Sequence, residues 1–368
     1  MKIVLVTNDF PPRIGGIQTY LWNIYRRLAE GGVDVTVIAR DHQEAERFDA
    51  LAPMRIVRRR EVIFPSSSLM REVREHARDA DLVTIGATLP MAQIVSKIDR
   101  PLVIHTHGFE IGWAKMPGAA SLLRRIMSRA ALVTHITRWT GQALAPVFRD
   151  APRALIPTGV DVRDFPSDLD GRGLRDRLGL GDRPVISFVS RLVRRKGADT
   201  LIEAMPRIRA QVPDAALVIV GDGADRARVA KLAAASPAAD AIHVTGAVPA
   251  EELPDAYAAG DVFAMPCRSR YGGLEVEGLG LVYLEAQACA RPAITGDSGG
   301  APEAVRHGET GYTVPGGDAT ALVEPIAGLL KDRERARRMG LAARRFMETT
   351  YDWDLITARF RNELEALL

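Results

Sequence analysis

The chain has 368 residues, 47% hydrophobic, 26% charged and 6% aromatic, with a net charge of +3. That length favours two hydrophobic cores over one, and the composition is that of an ordinary globular protein. No apolar run approaches the ~18 residues of a membrane-spanning helix, and two cysteines without metal-ligand spacing, Cys267 and Cys289, give neither a disulfide framework nor a zinc site.

In chain order, Lys2–Thr7 is too short for a leader and reads as a strand. A loop with Gly15-Gly16 follows, then a helix over residues 19–30 and a strand over 33–39. Strands are expected at 82–85, 102–105 and 132–136. The same design returns with a strand at 184–190, a basic loop ending at Lys196-Gly197, a helix at 200–211 and a strand at 216–221. Each copy is a βαβ unit of roughly 40 residues, which implies a parallel sheet covered by helices. Further strands are expected at 242–245, 262–265 and 292–295. Their near-continuous Val, Ile and Leu suit sheets buried on both faces. A helix is expected over 278–290. The last one, over 352–368, has apolar positions 355, 356, 360, 364, 367 and 368. The junction is placed in the polar stretch after Pro157-Thr158-Gly159-Val160-Asp161. The expected fold is α/β: two Rossmann-like, doubly wound domains, 1–160 and 161–350, facing a central cleft, then a closing helix over 351–368.

Charge is uneven. Residues 1–150 carry 21 Lys and Arg against 15 Asp and Glu. Arg58-Arg59-Arg60 contributes, as does the segment 122–129, where Arg124, Arg125 and Arg129 alternate with apolar residues at helical spacing. That segment fits docking on an anionic membrane surface. It fits equally a core-facing helix with a solvated basic face. Nucleic-acid binding is disfavoured, because aromatics are few and not interleaved with the basic clusters.

The stretch from Glu277 to Glu285 carries the most chemistry. On a helix, eight residues bring the second acid within about 80° of the first and about 12 Å along the axis. Gly278 and Gly280 between them bare the helix start, where a phosphate could approach free N–H groups. Gly15-Gly16 offers a similar loop in the first half, or an ordinary turn. Arg191 and Lys196 leave a strand end and could neutralise a diphosphate. The chain has six Lys among 49 basic residues, so a Lys beside Arg194-Arg195 points to a compact charge. His107, in His105-Thr106-His107-Gly108, also ends a strand, as a sugar contact or a structural histidine. No third ligand with zinc spacing joins His105 and His107. Asp79-Ala80-Asp81 and Asp168-Leu169-Asp170 read as solvated surface.

Taken together, the two spaced glutamates, Gly15-Gly16, Pro157-Thr158-Gly159-Val160-Asp161 and Ser190-Arg191-Leu192 with Lys196-Gly197 resemble the family 4 retaining glycosyltransferases, which have the GT-B fold. The segments Ser269–Gly280 and Thr106–Trp113 are similar to a narrower group, the actinobacterial phosphatidylinositol mannoside mannosyltransferases, above all those adding the second mannose. The resemblance implies an N-terminal acceptor domain and a C-terminal nucleotide-sugar domain. It implies that Glu277 holds the sugar with N–H groups of Gly278, Leu279 and Gly280, and that Glu285 binds ribose. Arg191, Lys196 and Gly16 would hold the diphosphate, Gly15 flanking it. Val248 would meet the base, and His107 the sugar near its reacting carbon. The last helix would cross back onto the first domain. The activity implied is metal-independent, retaining α-mannosyl transfer from GDP-mannose to a phosphatidylinositol mannoside lipid, by a cytoplasmic enzyme peripheral to the inner membrane face, with no cofactor. A UDP-sugar donor, a soluble glycan acceptor, or a sugar-nucleotide epimerase stay as alternatives. A dinucleotide-dependent oxidoreductase ranks last, for want of Gly-x-Gly-x-x-Gly.

Overall fold

The computed structural model describes residues 1–60, 62, 66–88 and 98–368. They form two compact units, Met1–Gly159 with Trp353–Leu368, and Val160–Asp352.

The first unit holds seven parallel strands: β1 (Lys2–Thr7), β2 (Asp34–Arg40), β3 (Arg55–Arg59), β4 (Leu82–Ile85), β5 (Leu102–Thr106), β6 (Leu132–His135) and β7 (Arg153–Leu155). Their order is β3-β2-β1-β4-β5-β6-β7. Successive residues of β1 feed opposite cores: Ile3 and Leu5 join one apolar cluster, Val4 and Val6 the other. Burial on both faces explains why the strand is apolar throughout rather than alternating. The helix Gly16–Glu30 buries Tyr20, Leu21, Ile24, Tyr25 and Leu28, a 3.6-period stripe. The helix Trp353–Glu365 packs on it through Trp353, Ile356, Phe360 and Leu364. The rings of Tyr25 and Phe360 lie 6.2 Å apart, and Arg27 Nε donates to Asp354 Oδ1 at 2.8 Å.

The second unit holds six parallel strands: β8 (Val185–Val189), β9 (Ala216–Val220), β10 (Ile242–Gly246), β11 (Val262–Met265), β12 (Ala293–Gly296) and β13 (Gly311–Val314). Their order is β10-β9-β8-β11-β12-β13. In each sheet the order reverses once, between β1 and β4 and between β8 and β11. Loops leaving the carboxyl ends of such strands diverge there and leave room for a ligand.

The ten expected strands all form. Three others were not anticipated: β3, β7 and β13, each at the end of its sheet. β3 reads Arg-Ile-Val-Arg-Arg, and two of its three arginines are paired. Arg58 bonds Asp49 at 2.7 Å, and Arg59 bonds Glu72. The helix expected over 278–290 is corrected. It runs Leu281–Ala288, because Gly280, at φ +92°, lies outside helical geometry. Glu277 is therefore not on the helix that carries Glu285, and the shared helical face does not exist.

Candidate functional site

In the second unit, β8 ends at Val189 and hands the chain to Arg191 and then to a short turn, Arg194–Lys196. Gly197 closes that turn at φ +82°, and a Cβ there would lie 2.1 Å from the Pro266 carbonyl oxygen. Glycine thus lets the basic turn press against the loop that follows β11 and carries Glu277. Lys196 Nζ stands 2.7 Å from Glu277 Oε2. Arg195 also bonds that oxygen, and its Nε lies 3.7 Å from Glu275 Oε1. Lys196 and Glu277 are both buried. Burial alone would raise the Glu277 pKa, but Lys196 and Arg195 outweigh it and hold the carboxyl below its ordinary value. Arg195 and Lys196 thus meet on one Glu277 oxygen, with Glu275 also beside Arg195. Arg191 is exposed, and its side chain makes no hydrogen bond or ion pair among the described residues.

The backbone of Glu277 is fixed from β12. Its N–H donates to Ser298 Oγ at 3.1 Å, and its carbonyl accepts from Gly300 N–H at 3.0 Å. Gly299 permits this, since a Cβ there would sit 2.2 Å from the Glu277 oxygen. Gly278, Leu279 and Gly280 then lead into the helix Leu281–Ala288, which no side chain caps. Its N-terminus carries the positive end of the helix dipole. Glu285, on that helix, accepts from the Tyr257 hydroxyl, and burial raises its pKa. Val248 lines a cleft of about 430 Å³ with Arg177, His243, Thr245 and Glu252, among others. The lining includes none of Arg191, Lys196, Glu277 and Glu285.

In the first unit, Gly15 and Gly16 leave β1, and Gly16 opens the first helix. A Cβ on Gly16 would meet nothing within 4 Å, so the space beside its Cα is open. His107 leaves β5. Its Nε2 lies 2.7 Å from the Gly86 carbonyl at the end of β4, so Nε2 carries the proton. Burial lowers its pKa. The ring is only half-buried, which softens that effect and keeps its sign, so His107 is neutral at pH 7 with Nδ1 as an acceptor. Among the described residues nothing bonds Nδ1. His105 differs: it is buried between Tyr25 Oη and Thr134 Oγ1, both at 2.8 Å. It is structural. No three His, Cys, Asp or Glu side chains gather as a metal site among the described residues. Arg124 and Arg125 lie on the helix Pro117–Met127 and Arg129 just beyond it; Leu123, Ile126 and Met127 face the core.

Sequence reasoning missed Arg195, Ser298, Gly299 and Glu110. The signal for Ser298 and Gly299 was present, in Asp297-Ser298-Gly299-Gly300 directly after an expected strand. Glu110 is fully buried; its Oε2 accepts the N–H groups of His107 at 3.0 Å and Gly108 at 2.9 Å, and its Oε1 the Thr88 hydroxyl at 3.1 Å.

Comparison with known proteins agrees with this layout. Residues 14–164 match the family model "Glycosyltransferase Family 4", and residues 173–346 match "Glycosyl transferases group 1". A GDP-mannose-dependent alpha-(1-6)-phosphatidylinositol monomannoside mannosyltransferase of Mycolicibacterium smegmatis is 43% identical, over 97% of this chain and 96% of its own. Its counterpart from Mycobacterium tuberculosis is 41% identical, over 99% and 98%. A Corynebacterium glutamicum enzyme named for the monoacylated form of that acceptor is 38% identical, over 99% and 98%. Among solved structures, Anabaena HepE with UDP and glucose superposes with a TM-score of 0.82 at 21% identity, covering both chains fully. Two doubly wound parallel-sheet units, each matched by a glycosyltransferase family model, make this a GT-B glycosyltransferase. The near-complete match at over 40% identity narrows the class: the chain belongs to glycosyltransferase family 4.

Proposed function

We propose that the chain transfers mannose from GDP-mannose, with retention of configuration, to a phosphatidylinositol monomannoside at a membrane surface. The observation that carries this is the 43% identity over 97% of the chain to an enzyme named for that reaction. The site chemistry supports it. In the second unit, Arg191, Lys196 and the N–H groups of Gly278 to Gly280 suit a diphosphate; in the first, the N–H of Gly16 suits a phosphate oxygen. Glu277 suits the sugar hydroxyls, and Glu285 the ribose. His107 Nδ1 accepts from a hydroxyl near the reacting carbon. No carboxylate is placed as a covalent nucleophile in this reading. The leaving phosphate takes the acceptor proton while the sugar passes through an oxocarbenium-like state, and the cations stabilise the departing charge. Lys196 pairs with Glu277 until the donor arrives, and then shifts its bond to the diphosphate.

The test is a panel of labelled GDP- and UDP-sugars with phosphatidylinositol monomannoside in detergent. Mannose should move from GDP-mannose alone, giving an α-linked product. Transfer from a UDP-sugar, or isomerisation of the donor without acceptor, would replace this assignment.

A further inference from the structure

Three exposed apolar side chains fall within one short stretch: Phe109, Trp113 and Met116 are 40%, 45% and 46% exposed. Phe109 and Lys115 flank the helix Glu110–Ala114 with helical backbone angles. Positions 109 and 113 are therefore i and i+4 and share one side, and Met116 follows directly where the backbone turns extended between the two helices. The other side is already occupied. Ile111 is buried, and Ala114 packs against the core. The stretch is apolar on two faces, and the fold uses only one. Ile14, wholly exposed, adds a further apolar side chain in the loop after β1, at the same carboxyl end of the sheet.

Charge identifies what covers the second face. From residue 111 to residue 149 there is no Asp or Glu, while Lys115, Arg124, Arg125, Arg129, Arg138 and Arg149 fall in that span. The following helix, Pro117–Met127, turns Leu123, Ile126 and Met127 inward, which leaves Arg125 exposed and Arg124 partly so; Arg129 is exposed just past its end. A surface for a protein partner carries a polar rim. An apolar ridge beside cations with no acid among them fits a layer of phosphates over acyl chains.

We infer that Phe109, Trp113 and Met116 insert into the acyl layer of an anionic bilayer, with Arg124, Arg125 and Arg129 on its phosphates. This deepens the lipid-acceptor reading above and rests on it. It gives the membrane contact a specific element, the turn between His107 and the basic helix. Entry of the ridge would bring His107 close to the lipid–water boundary.

Trp113 supplies its own probe. Trp22 and Trp139 are half-buried and Trp353 is buried, so Trp113 alone is freely exposed. The full chain is mixed with vesicles of phosphatidylglycerol and brominated phosphatidylcholine. Tryptophan emission should shift to the blue and be quenched, and both changes should vanish in Trp113→Phe. The double variant Trp113→Ser/Met116→Ser, checked for an unchanged melting temperature, should bind these vesicles at least tenfold more weakly. Arg124→Ala/Arg125→Ala should remove most of the salt-sensitive part. Vesicle binding with no change in Trp113 emission, or binding that the double Ser variant leaves intact, overturns the inference. So does a dimer that the double variant converts to monomer while vesicle binding persists. Mannose transfer to acceptor in detergent, measured in parallel, separates the two readings. Transfer without vesicle binding sinks the docking surface alone. Trp113-dependent binding without transfer sinks the proposed reaction alone.

Discussion

Lys196 is the side chain on which the proposed chemistry depends most. It is buried, with its Nζ 2.7 Å from Glu277 Oε2. In Lys196→Ala the diphosphate loses a point charge in a site shielded from water, where such contacts are strongest. Turnover should fall about 10²- to 10³-fold, with a smaller change in KM for the donor. Steady-state kinetics checks this, and near-normal kcat removes Lys196 from the mechanism. Glu110 poses a different question, one of protons. Burial pushes its carboxyl up to about 7, against the pull of the His107 and Gly108 N–H groups. The folded chain keeps a proton there that the unfolded chain releases near its ordinary value. Stability from this site is thus full below the unfolded pKa and is lost as pH rises to about 7. Glu110→Gln keeps an acceptor for both N–H groups and carries no charge. Its stability relative to the parent should rise between pH 4.5 and 7 by about 3 kcal/mol, then level off. Urea titrations at a series of pH values read this directly, and a difference that does not vary with pH contradicts it.

The loop from Glu277 into the helix Leu281–Ala288 shows how glycine builds the donor element. Gly280 takes φ +92°, and a Cβ would sit 2.6 Å from the ring of Tyr283. Tyr283 cannot yield easily, since it is fully buried and its hydroxyl donates to the Met265 carbonyl at 2.6 Å. Gly280→Ala should cost about 1–3 kcal/mol for the backbone strain and more for the contact, and should weaken donor binding. Gly272→Ala is the control: it is also left-handed, at φ +63°, with open space around it. Equal losses of melting temperature in the two variants would show that the contact with Tyr283 does not matter. The same loop marks the limit of what the sequence displays. Strands inside the sheets are apolar because both their faces are buried, so runs such as Val262–Met265 are plain to see. β3 and β7 lie at the sheet's ends, where Arg55, Arg58 and Arg153 can sit, and no apolar run announces them. Strand-end residues were legible as a class, which is how Lys196 and His107 stood out; Glu277 stood out through its spacing from Glu285 on one expected helix, and that helix starts only at Leu281. Their partners were not. That Arg195 and Lys196 meet on one Glu277 oxygen depends on the Gly197 and Gly299 contacts, which carry no periodic signal.

The two units are built from unequal lengths of continuous chain, and the N-terminal one depends on the distant C-terminal helix. Trp353, Ile356, Phe360 and Leu364 are each no more than 2% exposed, in one cluster with Tyr20, Leu21, Ile24 and Tyr25. The ring of Phe360 also lies 5.3 Å from that of His105, the buried histidine of the strand that leads to His107. Four such side chains contribute about 1.5–3 kcal/mol each, an upper bound since the unfolded chain buries some of that surface. The sum, roughly 6–12 kcal/mol, equals the whole stability of many domains. A chain ending at Asp352 should therefore lose a stable N-terminal unit while Val160–Asp352, with its own core, stays folded. Limited proteolysis should degrade the first 159 residues of the truncated chain and spare a fragment covering the second unit. Phe360→Ala is the milder version, at about 3–5 kcal/mol, and should raise the exchange rate of β1 and β5 amides while leaving β8 and β11 unchanged. If the truncated chain instead keeps its first 159 residues as protease-resistant as the parent's, the last helix is a passenger on that unit rather than part of its core.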